Sequence, residues 1–533
     1  MRSLAVKEMG DRLFKLSIDL GWLTLIDLDE LDQEVYAFYH ASFQEYFAAL
    51  AIDDWEFFLP QNLQEPIITT KYLVFESTWK EVILFWLGNE SKEVNIQAKE
   101  KFVKALVEFD DNCQEFYSFR AYFIAAEVIT EFKKCSLSNS ITEQIIIWGF
   151  GKFDIAQQEW ITFPEPIQKS ALAILPRIDC ERATSSLCQL INNVKISNES
   201  RDLAIDHLVF TASTGKAREQ AINLLVAFIE TSIQIFSSSK KPSRLFSKKY
   251  PEPLIDNYSN NENMIRTLTH TAWSLGMIAI GNESAIYALV NLINNLDDST
   301  GIDIRRQAAW SLGEITLGET SKIVIPVLIR LMEYSEDEFP FCKASSSLLK
   351  IANREGNKVL IRELVCLLES SSNENVRKEA SSFLRLLVLG EEWEARNNNM
   401  IAKSIWIPIR HPSLDKKSAI QNAILNLIDP IIDSYRTSTR TLLSLIDEFN
   451  KDDFRIIVSS LRVSLNNEVY VNDYHRYNCI YQVIWECSKN ISYHDFYCAW
   501  HNKYKSFHPE VEDNSPTDNV DAVSRFNKLI SDY

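Results

Sequence analysis

The five residues Ala272-Trp273-Ser274-Leu275-Gly276 return as Ala309-Trp310-Ser311-Leu312-Gly313, 37 residues further along. Two later copies degenerate but hold the phase. Lys343-Ala344 leads to Leu348 and Ile351, and Val376-Arg377-Lys378-Glu379-Ala380 leads to Leu384 and Leu387. The anchoring leucines 275, 312, 348 and 384 therefore stand 37, 36 and 36 residues apart. Apolar stretches between them, Ala285 to Ile293 and Ile323 to Met332, read as further helices, so each unit is a pair. A fixed period of this length marks a repeat architecture. A lone helical hairpin can bury its apolar face only against the next, and small residues at the contacts let neighbours stack closely. The expected fold is an α-solenoid. Weaker units precede it, Ser170-Ala171 to Leu175 and Ala204 to Leu208, 33 residues apart. A polar stretch at about 237–262 breaks the rhythm and reads as a long exposed loop.

Composition agrees with a mainly helical chain. Only 13 glycines and 15 prolines serve 533 residues, too few for a fold with a turn every ten residues or so. Lys and Arg number 55 against 73 Asp and Glu, a formal charge of −18. That field repels nucleic acid and anionic lipid, so neither is an expected partner. The nine cysteines, at 113, 135, 180, 188, 342, 366, 479, 487 and 498, are odd in number, irregularly spaced and form no Cys-x-x-Cys. Reduced thiols explain them better than a disulfide framework. Met1-Arg2-Ser3 runs into amphipathic sequence without an apolar signal core, and runs such as Val82 to Leu87 are too short to span a bilayer. The expected compartment is the cytoplasm.

The repeat residues resemble the HEAT family, whose Val-Arg, small-residue and Leu-Gly positions match Ile304-Arg305, Ala308/Ala309 and Leu312-Gly313. Upstream, an amphipathic helix (Leu4 to Ile18) stops near Gly21. Trp22 to Asp27 and Glu34 to Tyr39 then alternate like two short strands around an acidic turn, and a helix follows from Ser42. Helix, hairpin and helix make the back half of a winged helix. The segment Phe38-Tyr39-His40-Ala41-Ser42-Phe43-Gln44-Glu45-Tyr46-Phe47-Ala48-Ala49 resembles the one closing the NACHT module of STAND-type signalling ATPases. Segments around Trp79 to Ile83 and Phe119 to Phe123 resemble the helical region next to that module in bacterial NACHT–repeat proteins. Ile484 to Asn490 and Tyr493 to His501 resemble a small C-terminal domain of the same class.

An ATPase of this class needs a phosphate loop. The only Gly-Lys pairs, Gly151-Lys152 and Gly215-Lys216, lack the Gly-x-x-x-x-Gly-Lys-Ser/Thr spacing that cradles phosphates. The chain begins inside the winged helix, and no ATP hydrolysis is expected of it by that route. The resemblance implies that His40 senses bound nucleotide, provided an NTPase core is supplied in trans. Without one, His40 is a residue of the hairpin–helix junction, where Ser42 suits the N-cap. Cys479, Cys487, His494, Cys498 and His501 invite a zinc reading. Only Cys498 with His494 or His501 could pair on one helical turn, so buried free thiols in an aromatic core are expected instead. A Cys498–His494 dyad lacks a recognisable third group. Arg305, Arg306 and Arg377 occupy positions where HEAT arginines tie neighbouring repeats. Trp273 and Trp310 read as packing residues. Lys240-Lys241, Arg244 and Lys248-Lys249 form the one basic cluster, read as a solvated loop.

The expected architecture is mainly α. It comprises a winged-helix remnant (1–60), a helical linker or first solenoid hairpins (61–155), HEAT repeats (156–395), a small C-terminal α/β domain (396–506) and a polar tail (507–533). The expected role is capture of a protein ligand, without catalysis or cofactor, as the sensor half of a STAND-type NTPase. By resemblance such a sensor detects a ligand (in bacteria, a phage component) and relieves autoinhibition of an effector. Helices beginning near Ile304, Pro340 and Val376 should line the concave solenoid face. Positions turned away from their leucines, Gln307, Glu314, Lys343, Lys350 and Glu379, are the candidate contacts. Alternatives are a free-standing HEAT scaffold and, by analogy with other HEAT-type proteins, a bilin lyase of phycobiliproteins. No His-Glu dipeptide exists among the eight histidines, which removes a HEAT-type iron hydroxylase.

Overall fold

The computed structural model describes Gly10 and most of residues 14–501. It leaves out 62–71, 90–95, 240–260, 297–300, 335–337, 385–415, 429–434, parts of 356–383, and positions 30, 157 and 213–214. Two compact units emerge, each drawn from separated stretches of chain. One takes residues 1–141, 164–174 and 413–533, the other 142–163 and 175–412. Both are mainly helical.

In the first unit, residues 14–19 are helical (α1) and lead into an antiparallel hairpin, β1 (Leu23–Leu28) with β2 (Glu34–Phe38). Leu23 pairs with Phe38 and Leu28 with Glu34, with a register shift between Leu25 and Asp27. Asp29 closes the turn by accepting hydrogen bonds from the backbone N–H groups of Leu31 and Gln33 at 2.8 and 2.9 Å. Phe14, Leu23 and Tyr36 form a small core, with Phe14 edge-on to Tyr36 at 5.0 Å. Helix α2 (Ala41–Leu50) comes after the hairpin. Next are α3 (Lys80–Gly88), α4 (Ile96–Val107) and α5 (Phe116–Val128). Lys99 is buried, yet its ammonium is satisfied by the Leu87 and Asn89 carbonyls, both at 2.6 Å. It neutralises the C-terminal end of α3, where orphan carbonyls favour a cation.

Helix α6 (Ser138–Phe150) and a short hairpin, β3 (Lys152–Asp154) with β4 (Glu159–Ile161), precede α7 (Glu165–Ile174). The second unit then runs through α8 (Cys180–Ile191), α9 (Asn198–Thr211), α10 (Gly215–Ser239), α11 (Asn261–Ile278) and α12 (Glu283–Asn295). It continues with α13 (Ile302–Ile315), α14 (Ser321–Tyr334) and α15 (Glu338–Glu355). Helices α9, α11, α13 and α15 pack in one row, and α8, α10, α12 and α14 in a second behind it. Leu275, Leu312 and Leu348 are fully buried, as their spacing requires, whereas the fourth anchoring leucine, Leu384, is half-buried.

The recurring five residues now have a physical reason. Ser311 donates to the Ala272 carbonyl of the preceding repeat at 2.7 Å, and Ser274 to that of Ile205 at 3.2 Å. Gly276 faces Ser311 and Trp310 so closely that a Cβ would lie 2.6 Å from the serine oxygen, and one on Gly313 would lie 2.5 Å from the Ser347 Cβ. Serine and glycine thus set the spacing of the front row.

The described residues end, back in the first unit, with α16 (Lys416–Ile428), α17 (Tyr435–Ser444), α18 (Lys451–Leu461), α19 (Asn467–Asn472), α20 (Tyr474–Asn490) and α21 (Tyr493–His501). This corrects the α/β expectation for the C-terminal domain, whose described residues are all helical or connecting. Buried Ile480, Ile484 and Cys487 recur every three to four residues, a helical period that backbone pairing in a sheet would break. No helix among the described residues is long and apolar enough to cross a membrane.

Candidate recognition face and the Cys/His segment

Helices α13 and α15 carry the four described sequence candidates. Three places matter, counted from the anchoring leucine. Five residues before it stand His270, Gln307 and Lys343, two before it Trp273, Trp310 and Ser346, and two after it Met277, Glu314 and Lys350. Lys343 is exposed, whereas Gln307, Glu314 and Lys350 are half-buried. Glu379 lies outside the described residues, as does the basic cluster from Lys240 to Lys249. The sequence treats Glu314 and Lys350 as solvated, but they pair with each other, and Arg354 reaches Glu314 at 3.6 Å. The Lys350 ammonium also sits 5.6 Å from the centre of the Trp310 ring. These two candidates are already engaged across a repeat boundary. Arg305 donates to the Leu296 carbonyl at the end of α12, and Arg306 pairs with Asp303 on its own helix.

Four residues outside the candidate set, Asp206, Thr269, His270 and Trp273, join Gln307 around a pocket of about 320 Å³. His270 Nδ1 lies 2.9 Å from both carboxylate oxygens of Asp206 on the neighbouring helix. That hydrogen bond holds the His270 pKa above its usual value, outweighing partial burial, with Asp206 and Asp202 adding attraction and Arg266 opposing it. Asp202 is buried against Thr267 at 2.6 Å and the Arg266 guanidinium at 2.7 Å. Burial prevails there and pushes its carboxyl pKa up. Gln307 Nε2 is buried with no acceptor. His270 could have been found from its phase alone, since it occupies in α11 the place of Gln307 in α13. Asp206 could not, because the long insertion before α11 hides its register.

His40 is exposed and is itself the N-cap of α2, accepting through Nδ1 from the Ser42 backbone N–H at 3.2 Å and meeting its hydroxyl at 2.7 Å. Ser42 therefore stands inside the helix rather than at its cap. Histidine can take this role because a neutral ring nitrogen accepts as a cap oxygen does.

Within the first unit, α20 and α21 pack on residues 109–123. Tyr117 Oη donates to the Ser488 and Ile491 carbonyls at 3.0 and 2.9 Å, and Tyr493 Oη to the Asp111 carbonyl at 2.8 Å. Arg120 donates to the Ser488 carbonyl as well. The rings of Phe116 and Tyr481 stack at 4.7 Å. His501 Nε2 lies 3.0 Å from the Asn112 carbonyl oxygen and 3.8 Å from Cys113 Sγ, while Cys498 Sγ lies 3.9 Å from both His494 ring nitrogens. Burial pushes the Cys113 and Cys487 thiols far up, so both are protonated at neutral pH and poor nucleophiles. Among the described residues no group of three or more His, Cys, Asp or Glu is gathered as a metal site would need. Residues 473–501 match a known family model. Its description is NACHT C-terminal Cysteine and Histidine-containing. The matched span is α20 and α21 with the cap Asp473, so the NACHT-associated segment is the part that Tyr117, Arg120 and Asp111 hold in place. No curated protein and no solved structure matches the chain.

Proposed function

We propose that this chain is the sensor portion of a NACHT, STAND-type signalling NTPase, and that its row of second helices captures a protein ligand. The match of 473–501 to a NACHT C-terminal family carries this reading. The two-row helical stack supports HEAT-type hairpins, with α9, α11, α13 and α15 as the concave face such solenoids use for binding. Helix α1, the β1–β2 hairpin and α2 support a winged-helix remnant. The exposed Leu16, Leu20, Leu25, Ile26 and Leu28 are the surface this reading gives to contact with the NTPase module. The mixed lining of Gln307, Glu314, Lys343 and Lys350 suits a protein rather than a phosphate backbone. By resemblance the response is release of an effector, in antiviral defence a reply to a phage component. His40, already committed to capping α2, would turn to nucleotide only with an NTPase core in place.

The test is capture from lysates of infected and uninfected cells. The chain should enrich a protein from infected cells that the Gln307→Ala/Glu314→Ala/Lys343→Ala/Lys350→Ala variant fails to hold. Nucleic acid in its place, or equal capture by both, overturns the reading. Titration calorimetry with ATP–Mg should give no heat of binding, and a micromolar Kd would overturn the expectation that the chain by itself does not bind nucleotide.

A further inference from the structure

The pocket between α9, α11 and α13 offers hydrogen-bond donors that have nothing to donate to. His270 spends Nδ1 on Asp206, and its second ring nitrogen has no partner among the described residues. The Asp206 carboxylate favours the imidazolium form, in which that nitrogen carries a proton. Gln307 Nε2 is buried without an acceptor, an unfavourable state for a polar group. Trp273 lies half-buried in the wall.

The next repeat shows what is missing. There the equivalent Trp310 is covered by Lys350, which itself pairs with Glu314. One repeat earlier the residue in the place of Lys350 is Glu314, which is turned to Lys350 and Arg354. Among the described residues no cation and no second ring covers Trp273. A cationic ligand group is disfavoured, since both Asp206 oxygens are held by His270 and the imidazolium would repel it. An acceptor is what the site lacks.

We propose that this pocket receives a carboxylate side chain of the protein ligand, hydrogen-bonded by His270 and Gln307 with its methylenes against Trp273. The inference rests on the recognition reading above and names its ligand chemistry: an acidic segment. Lys343, exposed and at the same phase on α15, draws a second acidic residue one repeat further on. The groups acting on His270 are Asp206 and Asp202 from α9 and Arg266 from its own helix, while α13 presents the uncharged Gln307. Binding is therefore strongest with the imidazole protonated and weakens as pH rises through its raised pKa.

The experiment uses the full chain labelled with 5-fluorotryptophan, with Trp273→Phe identifying the Trp273 fluorine resonance. N-acetyl-glutamate methylamide should move that resonance saturably, and its affinity should fall as pH is raised from about 6 to about 9. Gln307→Leu should weaken it about tenfold without lowering the melting temperature, because the Gln307 Nε2 makes no hydrogen bond within the chain. A shift caused by N-acetyl-lysine methylamide instead, no shift with either probe, or undiminished glutamate binding in Gln307→Leu overturns the proposal. A pocket that is silent in a chain that still captures protein defeats this inference alone. A responsive pocket in a chain that captures nothing defeats the sensor reading alone.

Discussion

The front row of helices in the second unit and the Cys/His core of the first are both helical, yet they are held together differently. In the row, one set of packing positions is used again from helix to helix. A buried leucine recurs at 275, 312 and 348, and with it, in the first two of these repeats, a serine bonded to the preceding helix and a glycine that lets the next helix approach. In the Cys/His core nothing repeats. Tyr117 and Arg120 donate to carbonyls at the end of α20, and the Asp111 carbonyl accepts from Tyr493 on α21, each across more than 360 positions of sequence. A repeat row is stabilised by nearest neighbours and can loosen locally, whereas a core closed by distant segments opens as a whole. The first arrangement suits a surface whose residues vary around a constant frame. The second suits a fixed support.

The comparison breaks most directly at Leu312. Leu312→Asp places an unpaired carboxylate at a fully buried position between helices and should destabilise the row by more than about 4 kcal/mol. Hydrogen exchange should show lost protection in α11, α13 and α15, with α20 and α21 keeping theirs. Equal loss in both would mean that the two regions open as one cooperative body. Gly313→Ala should come next, at about 2 kcal/mol, because its Cβ would lie 2.7 Å from the Ser347 backbone Cα, which cannot swing aside. A neutral effect on urea unfolding would show that the row yields more readily than its packing implies.

Tyr117→Phe probes the other region. It strips one hydroxyl from two buried carbonyls and should cost about 1–2 kcal/mol. Exchange should rise in α20 and α21 together, as expected of a core without repeats, and a change confined to α5 would contradict that. The smallest effect is the pairing of His270 with Asp206. The histidine pKa is raised on folding, so the stabilisation is complete below about 6.5, the unfolded value, and disappears as pH rises through the higher folded value. Both side chains are partly exposed, and solvent screening limits the effect to a few tenths of a kcal/mol. His270→Asn should flatten the melting temperature between about pH 6 and pH 8. A profile unchanged by the substitution removes the pair from the account.

The helical class and the phase of the row were legible in the sequence, since the period, the leucines and the small residues all lie within one repeat. Local spacing decides which face of each helix is buried, and Leu275, Leu312 and Leu348 are buried where it places them, with Leu384 only half-buried. The candidates Gln307, Glu314, Lys343 and Lys350 were found from phase, but their state was not. Phase reports the direction of a side chain and says nothing of the neighbour it meets, which is how Glu314 and Lys350 came to be paired. His270 was within reach of the same reasoning. Its partner Asp206 was not, because the insertion before α11 separates the two in sequence while the stacking of α9 on α11 joins them. The clasp of residues 109–123 on α20 and α21 belongs wholly to tertiary structure. No local pattern couples Tyr117 to Ser488, and only a closed chain can bring a lone hydroxyl within 3.0 Å of a carbonyl 371 residues away.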